Sequence, residues 1–504
     1  MHLKYYTIFL FVLLSFSAAA QLKLPAYFGD NMILQRDQVV KIWGWNTPSQ
    51  DVTVTFNHKD YKALAAADSV WSISLPIMKA GGPYHITIKS INKEVSFTNI
   101  YFGDVWFCSG QSNMNFRVRK VQNYEEEIKD ADYPQIRQLD VPKVSALNVQ
   151  SNFKKSQWIS AKSTTIHNFS AVAWFFAKEL YKKTGVPIGI IHSSWGNSPI
   201  EAFMSADALN SFPSVQQKIA AISPEYINNI KARNQELIAA APAGTKNPKG
   251  FINVENQYPT FIYNAMIAPF FSYPIKGVVW YQGENNAGLS SCYHYEQMLA
   301  NMITSWRSSW LNNKLPFLIV QLANYGKITQ KPESSGWAVV QEAQFKVSKK
   351  LEHVGLVVTN DIGDPNDIHP INKQDVGKRL VYQARKIVYA ENKLLADGPL
   401  VKEANIAEGK FELSYNNSGS GLVAKDGASQ LKAFSIAGLD NIFHRANAVI
   451  KDNKVIVWSE SVPHPVNLRY AFENSPAEIN FYNKEGFPAI PFRTDKLKDA
   501  LKSR

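Results

Sequence analysis

The spacing of hydrophobic and polar residues divides this chain into three regions. In residues 21–98, short runs that alternate between apolar and polar positions, such as 51–56 and 84–89, are separated by turn residues. This pattern predicts an all-β module. In residues 99–395, apolar runs alternate with stretches of helical periodicity, which is typical of a parallel α/β sheet. Short strand-like runs return in residues 396–504 and predict a second β-rich module.

The middle region contains both clear helices and a segment of different composition. Residues 171–183 and 301–311 have the helical pattern. Residues 205–249 are polar and rich in alanine, and they end in segments that contain proline and glycine. We therefore predict a helical insertion at 205–249 that shapes the wall of a pocket.

The first candidate for chemistry is a serine that follows a predicted buried strand. The apolar run from Val105 to Cys108 stops before Gly110, and Ser112 comes two residues after that glycine. A strand would hold such a serine in place, and a glycine-eased turn would aim it outward, as a nucleophile requires. Serines follow strands in many proteins, so this segment gains its meaning from the partners found downstream.

A candidate general base lies in an acidic loop after another predicted strand. The β-rich run 354–359 precedes a loop that carries His369 and three aspartates. A serine hydroxyl becomes a good nucleophile when an adjacent imidazole takes its proton, and the imidazole works best when a third group fixes its tautomer. The alternative is a calcium-binding or merely solvated acidic loop. His369 weighs against calcium, which prefers oxygen ligands.

Two further predicted strands end in turns that could supply hydrogen-bond donors to an oxyanion. In the segment 186–198, the amides of Gly196 and Asn197 follow an apolar run, and in 277–286 the same pattern ends in Gln282. Donors placed where charge develops are commonly the largest catalytic term. Each turn alone is more simply an ordinary strand-to-helix connection. Together they fit a site at the carboxyl ends of the strands, where open α/β sheets assemble their sites.

These four segments resemble the sequence blocks of the sialate O-acetylesterase family, which belongs to the SGNH hydrolase superfamily. The blocks are 109–114, 194–202, 280–285 and 368–370, and similar segments lie near both ends and in the middle of the chain. The resemblance implies an SGNH-type parallel-sheet (flavodoxin-like) α/β hydrolase domain flanked by N-terminal and C-terminal β-rich modules. It also implies hydrolysis of O-acetyl esters on sugars through a serine acyl-enzyme, without a metal or another cofactor.

Carried over to this sequence, the resemblance assigns roles to individual residues. Ser112 is expected to be the nucleophile and His369 the base. The residues expected at the oxyanion hole are Gly196, Gln282 and Asn113. The residues expected to contact substrate are Gln111, Trp195, Glu284 and Arg493. Trp195 is placed here because aromatic rings stack on sugar faces. Arg493 would suit an acidic substrate group, and a structural salt bridge is at least as good an interpretation for it.

The sequence departs from the superfamily pattern at the acid of the triad. SGNH hydrolases usually place an aspartate three positions before the histidine, and this chain has Asn366 there. We expect Asp367 to orient His369, with Asp364 as the second choice. Asn366 is the third choice, because an amide oxygen holds an imidazole ring but stabilises the imidazolium less than a carboxylate does.

Composition excludes several other classes of function. The net charge is +12 with a pI of about 9.3, but the lysines are scattered, so we do not expect a nucleic-acid partner. The sequence contains no Gly-x-Ser-x-Gly elbow, no His-Glu-x-x-His and no phosphate-binding glycine-rich loop. Its only cysteines, Cys108 and Cys292, are too few for a disulfide scaffold. We expect both to be buried, unpaired thiols.

The first twenty residues have the pattern of a secretory signal. Lys4 precedes an apolar run, and small residues lead up to Ala20. We therefore expect cleavage near Ala20 and a periplasmic or secreted protein. The apolar stretch 261–280 is interrupted by polar residues and prolines, so no membrane insertion is expected.

Three functions remain open at this point. The first is removal of acetyl groups from sialic acids, and the second is the same chemistry on an acetylated polysaccharide such as xylan. The third is a non-catalytic glycan-binding protein, which the departure at Asn366 keeps open. We expect the catalytic segments to recognise the acetyl ester and the loops to recognise the sugar. The sequence therefore does not decide the sugar, the hydroxyl position or the oligomeric state.

Overall fold

The computed structural model describes residues 22–496 except 92, 243, 246, 289, 330, 334 and 477. It is a mixed α/β structure with a central, mostly parallel sheet and additional β-rich regions on both sides of it in the sequence. The predicted signal segment, 1–20, lies outside the described residues. Within the described part of the chain, no helix combines the length and the hydropathy needed to cross a membrane.

The strands and helices follow in chain order. The strands are β1 Ile33–Gln35, β2 Val40–Trp45, β3 Asp51–Phe56, β4 Lys59–Leu64, β5 Val70–Leu75, β6 Gly81–Ser90, β7 Lys93–Gly110, β8 Tyr133–Asp140, β9 Trp158–Ala161, β10 Ile188–Ser194, β11 Gly277–Tyr281, β12 Phe317–Val320, β13 Val354–Val357, β14 Leu400–Ala407, β15 Lys410–Asn416, β16 Leu422–Ala424, β17 Phe434–Ala437, β18 His444–Arg445, β19 Asn447–Lys451, β20 Lys454–Trp458, β21 Asn467–Tyr470, β22 Phe481–Asn483 and β23 Phe492–Arg493. The helices are α1 Tyr124–Lys129, α2 Ala171–Thr184, α3 Pro213–Ala221, α4 Pro224–Ala240, α5 Val254–Gln257, α6 Tyr295–Ser309, α7 Gly336–Lys350 and α8 Gln374–Ile387.

Strand β7 connects the N-terminal β region to the central sheet. Its first half pairs antiparallel with β6, and its second half lies between β10 and β11 in a parallel arrangement. The order across the central sheet is β13-β12-β11-β7-β10-β8-β9, in which only β9 pairs antiparallel with its neighbour. The predicted boundary between residues 98 and 99 lies inside this strand. The division into domains at 98 and 395 therefore remains a prediction.

Side chains alternate between the two faces of the central sheet, as strand geometry requires. Along β7, Val105 and Phe107 belong to one hydrophobic cluster, whereas Trp106 and Cys108 belong to another. Helices α6 and α7 cover the first face, and α2 and α8 cover the second. All four of these strand positions are fully buried, as in a parallel sheet that helices cover on both faces. The parallel pairing of β7 with β10 and β11 confirms the predicted parallel sheet.

The remaining regions bear on three further predictions. Helices α3 and α4 lie in the alanine-rich segment 205–249, and its role as a pocket wall remains a prediction. The C-terminal region has its own core among sheets β14-β15-β20-β19 and β18-β17-β21-β23. Cys108 and Cys292 are both buried, as expected. Burial also raises the pKa of the Cys108 thiol well above its ordinary value, which disfavours the reactive thiolate.

The close packing of α2 against α8 generates a stability prediction. A Cβ atom on Gly377 would lie 2.4 Å from Phe175 Cβ and 2.7 Å from the Phe175 carbonyl carbon. The new methyl group would collide with the Phe175 main chain, which cannot move aside as a flexible side chain can. We therefore expect Gly377→Ala to lower the free energy of unfolding by roughly 1–3 kcal/mol, although alanine has a better helix propensity than glycine. Thermal melting measures this. Gly29→Ala is the control, since a Cβ there meets nothing within 4 Å, and its effect should stay within about 0.5 kcal/mol. Equal melting temperatures for both variants would contradict the prediction.

Candidate active site

The site begins where three parallel strands end side by side. Gly110 at the end of β7 is in register with Ser194 at the end of β10 and with Tyr281 at the end of β11. Gly110 has a φ of 138°, and a Cβ atom on it would lie 2.0 Å from the Tyr281 carbonyl oxygen. Only glycine fits this contact. The chain therefore leaves the sheet at Gly110 and turns at once into the segment that carries Ser112.

Ser112 lies half-buried in the turn after β7, and the residue before it fixes that turn. The amide of Gln111 donates to the Tyr281 carbonyl over 3.0 Å. The Gln111 side-chain oxygen accepts from the amides of Gly283 and Asn285 over 3.4 and 3.3 Å. Gln111 is buried. Gln111 thereby holds the turns after β7 and β11 together, and its expected contact with substrate stays a prediction.

The turn after β10 lies directly against the nucleophile candidate. A Cβ atom on Gly196 would lie 3.3 Å from Ser112 Cβ, so a larger residue would crowd the serine. The Gly196 carbonyl accepts 2.7 Å from the buried side-chain amide of Asn256, which belongs to α5. The amide of Trp195 donates to the Gly110 carbonyl over 3.0 Å. The Gly196 turn is thus fixed from both sides and lies beside Ser112, as an oxyanion-hole position requires.

His369 contacts one of the three aspartates in its loop. Asp367 Oδ1 lies 3.4 Å from His369 Nδ1 and accepts from the His369 amide over 2.8 Å. Asp364 instead accepts from the amide of Asn366 over 2.8 Å. The third, Asp361, is buried in an ion pair with Arg379. The contact with Nδ1 leaves Nε2 as the nitrogen that would face a serine.

The surroundings of His369 favour its neutral form. Burial lowers the pKa of His369, the charge of Asp367 opposes this, and the cation of Lys373 lowers the pKa further. A neutral imidazole has a nitrogen that can accept the serine proton, so a lowered pKa extends general-base activity to lower pH. The ring also lies against Phe116, with centroids 6.4 Å apart and planes inclined by 27°.

Beneath this surface lies a buried polar network that the sequence did not reveal. The side-chain amide of Asn113 donates to Glu284 Oε1 over 2.6 Å and to the Ile368 carbonyl over 3.0 Å, and Asn113 Oδ1 accepts from Lys373 Nζ over 2.6 Å. Burial raises the pKa of Glu284. Both side-chain hydrogens of Asn113 are thus engaged within the protein, and its expected place at the oxyanion hole stays a prediction. Glu284 is likewise buried, and its expected contact with substrate stays a prediction.

Gln282 has a supporting position of the same kind. Its side-chain nitrogen donates to the Ser198 carbonyl over 3.1 Å and to Asn286 Oδ1 over 2.8 Å, and its oxygen accepts from the Tyr295 hydroxyl over 2.9 Å. The side chain is fully buried. Both side-chain hydrogens of Gln282 therefore bind within the protein, and the expected place of the Gln282 turn at the oxyanion hole stays a prediction.

The remaining expected substrate contacts, Trp195 and Arg493, differ in placement. Trp195 is partly exposed in the turn beside Gly196, where a ring can meet a ligand. Arg493 instead makes a bidentate contact with Glu342, at 3.0 and 2.9 Å, in a largely buried setting. The salt-bridge interpretation of Arg493 is therefore the one that the structure supports.

A second serine–histidine–aspartate chain lies nearby, and the sequence reading missed it. Ser194 Oγ lies 2.6 Å from His192 Nε2, and His192 Nδ1 lies 2.5 Å from Asp140 Oδ1. His192 and Ser194 are two residues apart on β10 and so share a face, and Asp140 of β8 is in register with His192. That spacing, next to a strand-ending aspartate, was the available signal. Ser194 is only 2% exposed and His192 only 3%.

A cleft of about 590 Å³ adjoins the histidine loop at Gly363 and Pro365. Its other walls include Lys425 and Tyr482 of the C-terminal region. The Lys425 ammonium lies 4.7 Å from the centre of the Tyr482 ring.

Across the described ranges, no group of three or more histidine, cysteine, aspartate or glutamate side chains is arranged to hold a metal ion.

Comparison with known proteins reveals similarity over almost the whole chain. Residues 216–386 match the family model described as carbohydrate esterase, sialic acid-specific acetylesterase. The sialate O-acetylesterase of Homo sapiens is 28% identical over 94% of this chain and 93% of its own length, and that of Mus musculus is 26% identical over 94% and 95%. The crystal structure of a carbohydrate acetylesterase from Xanthomonas citri is similar with a TM-score of 0.82 and 35% identity, covering 95% of this chain and 100% of that one.

The contacts of the two loop aspartates lead to a prediction that separates them. Buried triad aspartates contribute up to about 10⁴-fold to kcat, and because Asp367 is 57% exposed we expect Asp367→Asn to lower kcat less, on the order of 10- to 100-fold. Asp367 raises the pKa of His369, so its loss should move the acid limb of kcat/KM to lower pH. Hydrolysis of p-nitrophenyl acetate across the pH range measures both effects.

Asp364→Asn is the matched control for this experiment, because it makes the same change in the same loop without a contact to the imidazole. We expect its kcat and pH profile to match the wild type. If Asp364→Asn loses as much activity as Asp367→Asn, Asp367 is not the residue that orients His369.

Proposed function

The chain belongs to the sialate O-acetylesterase family of carbohydrate esterases, and from this membership we propose that it removes O-acetyl groups from sialic acids through an acyl-enzyme on Ser112. It is a carboxylic ester hydrolase that acts on O-acetyl esters. The sugar, the residues that perform the chemistry and the route of the protein out of the cell are our proposals.

One observation carries the proposed mechanism. The serine of the turn after β7 lies against Gly196 of the turn after β10, and His369, in contact with Asp367, joins the same surface through the Asn113 contact to Ile368. A nucleophile, a turn with backbone donors and an oriented base are the parts that acyl transfer needs. This convergence supports Ser112 and His369 as the reacting pair.

The proposed reaction has two halves. Ser112 Oγ attacks the acetyl carbonyl carbon while its proton passes to His369 Nε2, and the amide groups of the Ser112 and Gly196 turns stabilise the oxyanion. The C–O bond to the sugar then breaks, and the sugar oxygen takes the proton from His369. Water repeats the sequence on the acetyl-serine with His369 again as the base, releases acetate and restores Ser112. Asp367 stabilises the imidazolium in both halves.

The competing nucleophile is Ser194, which together with His192 forms the buried part of the Ser194–His192–Asp140 chain. Its hydrogen-bond distances are those of a triad, but a serine that is 2% exposed has no surface on which a sugar ester could approach. Ser112 is partly exposed in the turn. Accessibility therefore favours Ser112, and we propose that the buried chain holds the end of β10 and with it the Gly196 turn.

The finer architecture is a proposal that follows from the family membership, and the export of the protein is a proposal that follows from the pattern of its first residues. The central sheet is proposed to be of the SGNH, flavodoxin-like type, with the residues 21–98 and 396–504 forming the flanking β modules. The first twenty residues are proposed to direct export, followed by cleavage near Ala20.

Acetyl esters on a neutral polysaccharide such as xylan are the second candidate substrate. Arg493, the expected partner for a sialic-acid carboxylate, is engaged by Glu342, and this observation favours a neutral sugar. The family membership and the presence of Lys425 in the cleft beside the histidine loop favour sialic acid. We keep sialic acid first because the matching family model and the curated relatives name that substrate for their members.

The choice between the two serines generates a prediction for the mature protein. Ser112→Ala should lower acetate release by at least about 10³-fold, since loss of the nucleophile leaves only binding and oxyanion stabilisation. Ser194→Ala is the matched control and should keep hydrolysis within roughly tenfold of the wild type, the cost of a misplaced supporting contact. Rapid-quench detection of acetyl-enzyme by mass spectrometry identifies the modified serine. Acetyl on Ser194, or an inactive Ser194→Ala beside an active Ser112→Ala, would reverse the assignment.

The choice of sugar generates a separate prediction. We expect acetate release from 9-O-acetylated sialic acid to exceed release from acetylated xylan in kcat/KM by roughly tenfold or more, the difference that a positioned charge contact contributes. Ser112→Ala serves as the blank on both substrates. A higher kcat/KM on acetylated xylan would keep the mechanism and assign the neutral polysaccharide as substrate.

A further inference from the structure

Lys373 is a fully buried lysine that lies directly under the candidate active site. It precedes α8, and its ammonium lies 5.0 Å from the centre of the Phe116 ring and 5.4 Å from that of Tyr281. Its hydrogen-bond partner is Asn113 Oδ1, at 2.6 Å. Lysine is almost never fully buried without a reason, because transfer of an ammonium from water into an apolar setting is costly.

The partner of Lys373 connects the two halves of the proposed machinery. Asn113 is the residue after Ser112, and one of its amide hydrogens binds the carbonyl of Ile368, the residue before His369. Its other amide hydrogen binds Glu284 in the turn after β11. A planar amide with its oxygen held by the ammonium has only one orientation, so all three contacts are set together.

We propose that Lys373 is a positioning residue that fixes the orientation of Asn113 and thereby sets the distance between the nucleophile turn and the histidine loop. This inference rests on the proposed roles of Ser112 and His369. Lys373 does not touch substrate. It acts through Asn113, which ties the backbone next to each reacting residue, and through the electrostatic field that it exerts on the imidazole.

The electrostatic part of the proposal has a defined sign. The charged groups that act on His369 are Asp367, which raises its pKa, and Lys373 and Lys120, which lower it. Lys373 itself faces Glu284 and Asp367, and burial lowers its pKa to about 7, so below that pH it carries its proton. A cation in this place disfavours the imidazolium. Its loss should therefore raise the pKa of His369 and move the acid limb of the pH–activity profile to higher pH.

A purely structural role of Lys373 would show in different readouts. Removing Lys373 leaves Asn113 Oδ1 buried without its donor, so Lys373→Met should lower the melting temperature whichever role Lys373 has. Methionine has nearly the length of the lysine stem and suits a space between two aromatic rings, which limits this loss. The two roles therefore separate in kcat and in the acid limb of the pH–activity profile, which a purely structural role leaves in place.

The experiment uses Lys373→Met in the mature protein with p-nitrophenyl acetate as the probe. We expect kcat to fall on the order of 10- to 100-fold, as for a misplacement of about 1 Å, with KM changed less than about threefold. The acid limb of kcat/KM should move to higher pH, and circular dichroism should show that the variant is folded at the assay temperature. Unchanged kcat with an unmoved acid limb would overturn the proposal. So would a fall in melting temperature and kcat together with the acid limb in place.

Three further variants make the result decisive. Lys120→Met removes an exposed charge that also lowers the pKa of His369 but has no contact with Asn113, so its kcat should equal the wild type. Lys373→Gln keeps a polar head without the charge, and we expect a smaller loss of kcat with the same shift of the acid limb. It decides the matter by the same readouts if Lys373→Met does not fold. Wild-type activity in Ser112→Ala would overturn the proposed function and this inference together, whereas an inactive Ser112→Ala beside an unchanged Lys373→Met would overturn this inference alone.

Discussion

The architecture of the site depends on one backbone contact, the approach of Gly110 to the carbonyl of Tyr281. A side chain at this position would lie 2.0 Å from that oxygen, so the end of β7 can meet the end of β11 only where the residue is glycine. The contact lets the chain turn immediately after the last paired residue of the central strand. Because β7 is flanked by β10 and β11 in parallel register, the turn that carries Ser112 emerges between the two turns that surround it. The geometry of the proposed nucleophile is thus a consequence of sheet register.

Several polar residues around Ser112 form hydrogen bonds with the main chain or side chains of neighbouring turns. Gln111, Asn113, Gln282 and Glu284 are all buried, and each binds a main-chain group or side chain of a neighbouring turn. Turns that end buried strands expose amides and carbonyls that must find partners within the protein. A set of side-chain amides meets that need and holds four loops in one arrangement. Residues of catalytic type near a nucleophile can therefore form the layer under the site.

The sequence allowed the fold and the location of the site to be predicted, because both follow from local patterns. Apolar runs that stop at small residues give strands and their ends, and parallel strands bring those ends to one edge of the sheet. The roles of individual polar residues depend on loop paths and partners distant in sequence. Whether Asp364 or Asp367 meets His369 is decided by how a ten-residue loop folds. The pairing of Arg493 with Glu342 joins residues 151 positions apart, and no local pattern reports it.

The two serine–histidine–aspartate arrangements in this chain separate hydrogen-bond geometry from catalytic competence. The Ser194–His192–Asp140 chain has the shorter contacts, at 2.6 and 2.5 Å, while the aspartate of the proposed site lies 3.4 Å from His369. Judged by distance alone, the buried chain would be the better triad. A nucleophile must also meet its substrate, and burial of Ser194 prevents this whatever its hydrogen bonds. Catalytic contacts in an unliganded site are commonly long and tighten when substrate binds. Short hydrogen bonds with a buried serine and histidine are what a scaffold needs, because burial strengthens them and they hold β10 in place. A reacting site needs an accessible serine and a base of lowered pKa, and these two properties favour the proposed pair of Ser112 and His369.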